Sequence, residues 1–377
     1  MVRLGDVCTK GSSSIALKDL EARNGCYPIY GASGFIKNVD FYQQEQSYVA
    51  VVKDGAGVGR VMCLPAKSSV IGTMQYIVPN DGVNVEYLTY ALEHMNLAKY
   101  YTGATIPHIY FKDYCKELLP SHTKEEQEHI ATVLNNVEGL IALRKEQFTR
   151  LELLIKSRFV ELFGDPIVNP YHWDVATIGD IVTDVRYGTS KPAVDGGKYP
   201  YLRMNNLTYD GYLDLSDIKY IDIPDNEIEK CIVRKGDILF NRTNSIELVG
   251  KTCVFDLDDE MVIAGYIIRV RLNEKLLPIV LSSYMNSVVL KEQLRCMAKG
   301  AVNQANINAQ ELQGIKIYLP PMNLQNQFAA FVEQVDKSKF DAALILQERI
   351  EGMRTLIQQS LEETKRQFDA LIQAYFK

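Results

Sequence analysis

The side chains able to recognise or transform something lie on short turns between apolar runs. In the first half of the chain they are Tyr30, Ser33, Lys53, Arg60, Thr73, Gln75, Thr105 and His108. In the second half they are Arg203, Asn205, Asn206, Asn241, Arg242, Thr243, Asn244, Lys251, Asn303 and Gln304. Arg, Asn and Gln read base edges through paired hydrogen bonds, whereas Lys, Ser and Thr serve phosphates. Together they form a candidate DNA-binding set. Asn, Ser and Thr are also common turn formers, so the weight rests on the clusters at 53–60, 203–206 and 241–251, where basic and amide side chains crowd together.

Other chemistries find little support. Gly55-x-Gly57-x-Gly59 suggests a phosphate cradle, but such a cradle must end at a helix N-terminus, and Arg60-Val61-Met62-Cys63-Leu64 reads as a strand. These glycines instead let the backbone approach another surface closely, flanked by Lys53 and Arg60. Asn169-Pro170-Tyr171 has the start of an amino-methyltransferase loop, yet it lacks the second proline and any cofactor loop before it, and is read as a linker. Five histidines are scattered without ligand spacing, and the seven cysteines form no C-x-x-C pair. The cysteines are read as reduced and mostly buried thiols. No metal site, cofactor site or catalytic residue is assigned, and the chain is expected not to be an enzyme.

These turns need elements to position them. Tyr48–Val52 and Val70–Val78 are predicted strands, and Val85–Tyr101 a short helix. The longest element is the stretch Lys124–Phe163. It has no proline, and Ile130, Val133, Leu134, Val137, Leu140, Ile141, Phe148, Leu151, Leu154, Ile155, Phe159 and Leu162 recur at steps of three and four. At about 1.5 Å per residue it would be roughly 60 Å long, with an apolar stripe that calls for a partner helix. Asn323–Phe376 carries similar spacing. Gly164-Asp165-Pro166 stops the first of these helices.

The order of elements then repeats. Leu4-Gly5-Asp6-Val7 is echoed by Ile178-Gly179-Asp180-Ile181, and Tyr27-Pro28-Ile29-Tyr30 by Tyr199-Pro200-Tyr201-Leu202. Val49–Lys53 with Val58-Gly59-Arg60 is echoed by Asp237–Arg242 with Val249-Gly250-Lys251. Met74-Gln75-Tyr76-Ile77 corresponds to Gly265-Tyr266-Ile267-Ile268, and His108-Ile109 to Asn306-Ile307. Finally Gln127–Ala131 matches Gln325–Ala329, each opening a long helix. The chain is thus an internal duplication. Its segments are a first recognition domain (1–123), a central helix and linker (124–165), a second domain (166–321) and a C-terminal helix (322–377). The expected fold class is α+β: two similar domains separated by two long antiparallel helices, a coiled coil with pseudo-twofold symmetry.

The matching stretches, in order, are YPIYGASGFI (27–36), KDGAGVGRV (53–61), GATIPHI (103–109), Gln127–Ala131, FGDP (163–166) and LPPMNLQNQFA (319–329). With the duplication around two helices, they resemble the specificity subunit of Type I restriction-modification systems. The resemblance implies a non-catalytic subunit whose two target recognition domains each read half of a bipartite, asymmetric sequence in double-stranded DNA. It also implies helices that separate the domains and dock two methylation subunits, with restriction subunits joining the complex. S-adenosylmethionine, ATP and Mg would then belong to those partners, and none to this chain. One departure is that Pro120 to Gln127 is a longer link than Pro320 to Gln325, which argues against an identical helix start in the two halves.

Bulk properties set the limits. The net charge of −6 argues against a simple polybasic binder, so the basic residues for DNA must be gathered on one face by the fold. The same charge is the main support for an alternative, a coiled-coil adaptor whose two domains bind proteins. Met1–Lys10 has no apolar signal core, and no run of eighteen apolar residues occurs, so no membrane contact and a cytoplasmic location are expected.

Overall fold

The computed structural model describes residues 1–103, 107–301 and 304–339, together with 341, 343, 347 and 351. One compact unit is built on residues 1–143 and a second on residues 144–345. Each is α+β.

In the first unit the strand Tyr48–Val52 is buried along its whole length, as expected for five residues of which three are Val. It lies between Met74–Pro79 and Val61–Leu64, and Cys8–Ser12 completes an antiparallel four-stranded sheet. A second sheet pairs Gly34–Val39 with Tyr27–Gly31, which runs parallel to Ser69–Val70. Val2–Arg3 and Leu118–Leu119 close the unit as a two-stranded clasp.

The second unit repeats this topology. Ile238–Asn241 lies between Ile267–Leu272 and Thr252–Val254, with Val182–Tyr187 on the outside. Tyr199–Leu202 runs parallel to Met261–Ile263 in the second sheet, which Lys219–Ile221 and Ile232–Val233 flank. Asp174–Thr177 and Lys316–Leu319 form the clasp. The duplication inferred from short echoes is therefore a duplication of strand order.

The structure shifts one echo. Gly72 N–H donates to Ile15 O at 2.8 Å, and Gly265 N–H donates to Thr189 O at 2.7 Å. Lys53 N–H meets Thr73 O as Arg242 N–H meets Tyr266 O. Gly265 thus corresponds to Gly72 and not to Met74. The error is two residues, which leaves every side chain on its proper face and so is invisible to an alternating pattern. Two element boundaries also differ. The strand expected over 70–78 breaks at residues 71–73, where the chain passes between sheets. The helix expected over 85–101 ends at His94, because Asn96 takes a left-handed conformation (φ 48°) before a short 3-10 turn.

The long helix runs from Lys124 to Phe163 as its periodicity predicts. Thr123 and Glu126 form a reciprocal capping box at its start. Gly164 ends it with φ 81° and an N–H donated to Val160 O. Of the predicted stripe only Leu154 turns outward, 48% exposed. In the second unit Ile155, Phe159 and Phe163 join the core with Phe328, Val332 and Val335. The Phe328 ring is 5.4 Å from Phe163 and 5.6 Å from Phe159, while the Arg158 guanidinium lies 5.8 Å from the Phe331 ring. Numbers rise on one helix as they fall on the other, so these turns are antiparallel. Residues 322–339 are helical. Beyond 339, the predicted C-terminal helix lies almost entirely outside the described residues.

Both helices begin with the same device. Gln127 Oε1 accepts Asn84 N–H at 2.9 Å, and its Nε2 donates to His122 O. Gln325 Oε1 accepts Leu277 N–H at 2.9 Å, and its Nε2 donates to Pro320 O and Lys275 O. Asn84 and Leu277 are the N-caps of Val85–His94 and Pro278–Met285. Each glutamine is buried and is the fourth residue of its helix, so the unequal links after Pro120 and Pro320 leave the helix starts alike. The cysteines depart from expectation: Cys8, Cys231 and Cys253 are buried and unpaired, but Cys26, Cys63 and Cys296 are exposed.

Gln325→Ala would strand one buried donor and two carbonyls, and should cost about 3 kcal/mol. Gln127→Ala strands fewer groups and should cost about 2 kcal/mol. Urea denaturation of each variant measures this; midpoints equal to that of the parent protein would show that the glutamines do not anchor the helices.

Candidate nucleic-acid interface

Where the central strand of the first unit ends, the backbone is held from two sides. Lys53 N–H donates to Thr73 O at 3.0 Å and Lys53 O accepts Ile109 N–H at 3.0 Å. Asp54 follows, its carboxylate paired with His108 Nδ1 and lying 3.9 Å from Lys53 Nζ. The His108 ring sits edge-on to Tyr110, centroids 4.2 Å apart. The loop then returns as a hairpin, Gly59 N–H to Val52 O at 2.8 Å, and Arg60 Nη1 reaches across to Ala32 O at 2.7 Å. That bond ties it to the hairpin tip carrying exposed Ser33, beside half-buried Tyr30. Lys53, Arg60, Ser33, Thr73 and His108 therefore gather at one end of the unit. Thr105 lies outside the described residues. Gln75 does not join them: it is 1% exposed, and its amide donates to the Tyr114 hydroxyl inside the core.

The second unit builds the same frame from other side chains. Arg242 N–H donates to Tyr266 O and Arg242 O accepts Ile307 N–H, both at 2.9 Å. Its guanidinium lies 4.9 Å from the Tyr187 ring centroid, and Nη2 donates to Asn306 Oδ1 at 3.1 Å. Asn306 Nδ2 in turn donates to Thr243 Oγ1 at 3.0 Å, and the Tyr187 hydroxyl accepts Ala309 N–H. Exposed Gln304 lies on the strand Gln304–Asn306, which pairs with Thr243–Asn244. Asn303 is outside the described residues.

Several predicted residues have structural work instead. Asn241 is fully buried with Oδ1 accepting Thr243 N–H, and Asn244 Oδ1 accepts Ser245 N–H, both shaping the turn. Asn206 is buried and bonded to Arg203 N–H and to the Asp214 and Asp217 carbonyls. Arg203 is paired with Asp217 at 2.8 Å, leaving Asn205 as the exposed member of that cluster. Lys251, the counterpart of Arg60, is 8% exposed and its ammonium, lowered by burial, faces Met204 O. Buried Lys291 holds the same turn by donating to Gly250 O at 3.0 Å, and burial lowers it to about 8. Of the three clusters, 53–60 and 241–251 form equivalent edges, and 203–206 is chiefly a folded turn.

Three residues at these edges were not in the predicted set: Asp54, Tyr187 and Asn306. The echo of His108-Ile109 in Asn306-Ile307 was the signal for Asn306; nothing in the sequence singled out the other two. The glycine-rich loop is a strand-to-strand turn, as expected. Gly55 and Gly59 need their positive φ (91° and 85°), and the surface that Gly59 approaches is the unit's own residue Ala98. Gly250 packs on Leu294 in the same way. Asn169-Pro170-Tyr171 is a built turn, with Asn169 bonded both ways to Trp173. Among the described residues no group of three or more His, Cys, Asp or Glu is arranged to hold a metal ion, and no helix is long and apolar enough to cross a membrane.

The two glycines give a graded test. A Cβ at Gly55 meets nothing within 4 Å, so Gly55→Ala should cost only the left-handed backbone penalty of about 1–2 kcal/mol. At Gly59 the Cβ would lie 2.5 Å from Ala98 N, so Gly59→Ala should cost clearly more. Equal unfolding midpoints for the two variants would show that the turn does not seat on Ala98.

The sequence matches the family model for the Type I restriction modification DNA specificity domain over residues 1–153 and again over 170–351. It is 33% identical over 171 residues to the putative MjaX specificity subunit of Methanocaldococcus jannaschii, covering 44% of this chain and 40% of that one. It is 24% identical to the MjaVIII specificity subunit of the same organism, covering 89% and 85%. The fold is similar to that of the S subunit of a Type I system from M. genitalium, with a TM-score of 0.57, 16% identity and 94% of both chains covered.

Proposed function

The chain belongs to the Type I restriction-modification DNA specificity family, and from that premise we propose that it is the sequence-specific DNA-binding subunit of such a complex. Each unit reads one half of a bipartite, asymmetric target in double-stranded DNA. The observation that carries this reading is the repeated strand-end frame: one backbone geometry offers Lys53, Asp54 and His108 in the first unit and Arg242, Thr243 and Asn306 in the second. A scaffold that keeps its backbone while changing its polar side chains suits readout of two different half-sites. The subunit itself is non-catalytic. Two methylation subunits carry S-adenosylmethionine, and restriction subunits supply ATP- and Mg-dependent cleavage. The adaptor alternative has net charge as its main support, and no feature of either unit among the described residues favours it.

Co-expressed with its methylation partner, the chain should direct adenine methylation to one split motif, read by modified-base sequencing. Lys53→Glu combined with Arg242→Glu should abolish that methylation while leaving the subunits associated; an adaptor would keep both its partner and an unchanged methylation pattern. Affinity for the motif should fall with salt at a slope of about 0.9 per phosphate contacted. Four residues inserted near Gly139 lengthen the helix by about 6 Å, which should widen the spacer by roughly two base pairs at 3.4 Å each. A retained motif with its original spacer would show that the helix does not set that distance.

A further inference from the structure

We propose that Arg242, at the end of the central strand of the second unit, is a base-reading head, and that it makes guanine obligatory at one position of that unit's half-site. This rests on the DNA-reading function above and adds what that site reads.

The correspondence is atomic. Lys53 and Arg242 have the same two backbone bonds, to Thr73 and Ile109 in one unit and to Tyr266 and Ile307 in the other. The next residue, Asp54 or Thr243, bridges through its side chain to His108 or Asn306. Those partners also pair through the backbone in both units. A fixed stalk thus carries an interchangeable head.

The second head is held in one plane. Tyr187 lies under the guanidinium, Asn306 Oδ1 takes one Nη2 proton, and Thr243 fixes which way the Asn306 amide faces. Nε has no hydrogen-bond partner, although it is shielded from solvent. The residue is half-buried, so its remaining Nη protons emerge in a set direction. A guanidinium fork fits a phosphate as well as a guanine edge, but only the guanine edge, with O6 and N7 side by side, carries sequence information for a planar donor pair held still. Preorganisation of this kind lowers the cost of ordering the side chain on binding, and base substitution in the duplex separates a base edge from a phosphate as its target. The first head lacks it: Lys53 is a single rotatable ammonium beside a carboxylate.

The test uses the full chain co-purified with its methylation subunits and duplexes carrying the motif found by methylation sequencing. Replacing one guanine of one half-site by 7-deazaguanine, which removes N7, or by adenine should weaken the parent complex by about tenfold to a hundredfold. Arg242→Lys keeps the charge and the fold, and should bind all these duplexes within about twofold of one another, having lost discrimination at that base only. Tyr187→Leu, which removes the plate but not the cation, should lose part of the same discrimination. Lys53→Ala should leave it intact. If Arg242→Lys and Arg242→Ala weaken every duplex alike, with Arg242→Ala reducing the salt slope by one phosphate, Arg242 contacts the backbone and the proposal is wrong. A second half-site without guanine would also overturn it. A parent complex that methylates no split motif would instead remove the DNA-reading function on which the proposal stands.

Discussion

The structure turns on a pair of backbone hydrogen bonds repeated in both units. At Lys53 and at Arg242 the N–H and the C=O are engaged on opposite sides, by the turn entering the next strand and by the loop that returns from the helices. This point joins the central strand, the inter-sheet crossing and the last loop before the clasp. Because both backbone groups are satisfied within the protein, the position of the chain here does not depend on which side chain it carries, and the two units carry Lys53 and Arg242 on the same backbone frame. The glycines at 59 and 250 complete the arrangement by letting the neighbouring hairpin seat on the unit's own helical segment.

Buried polar groups hold this frame where apolar packing alone would not specify it. Gln127 and Gln325 join the start of a long helix to the cap of a domain helix, so that helix and domain meet in one register. Lys291 crosses the core of the second unit to reach the Gly250 carbonyl, and its burial disfavours the ammonium form. Such groups lose much when a partner is removed, and they sit behind the candidate interface without belonging to it.

The long helix was legible to the residue, because a 3.6-residue period sustained over forty positions leaves little ambiguity. The duplication was legible too, since turn residues and helix starts recur in order. The register of one echo was not: a two-residue slip keeps the inward and outward faces, and only the hydrogen bonds of Gly72 and Gly265 distinguish the alternatives. The candidate interface was half legible. Lys53, Arg60, His108 and Arg242 stand where basic turns placed them, but amide residues divide by burial, which composition does not encode. Asn206, Asn241 and Gln75 are buried bonds of the fold, while Tyr187, whose ring sits under Arg242, carried no mark in the sequence.

The glutamine anchors also bear on inheritance. Each ties its helix to the domain just before it, within a dozen residues of that domain's clasp, and one of the two divisions between the units falls between Leu143 and Arg144, well inside the long helix. A genetic crossover in the middle of that helix therefore severs neither anchor and neither clasp. Residues 1–143 can then be exchanged with their anchor, clasp and strand-end head together, so the chain's repertoire can grow by recombination as well as by point substitution.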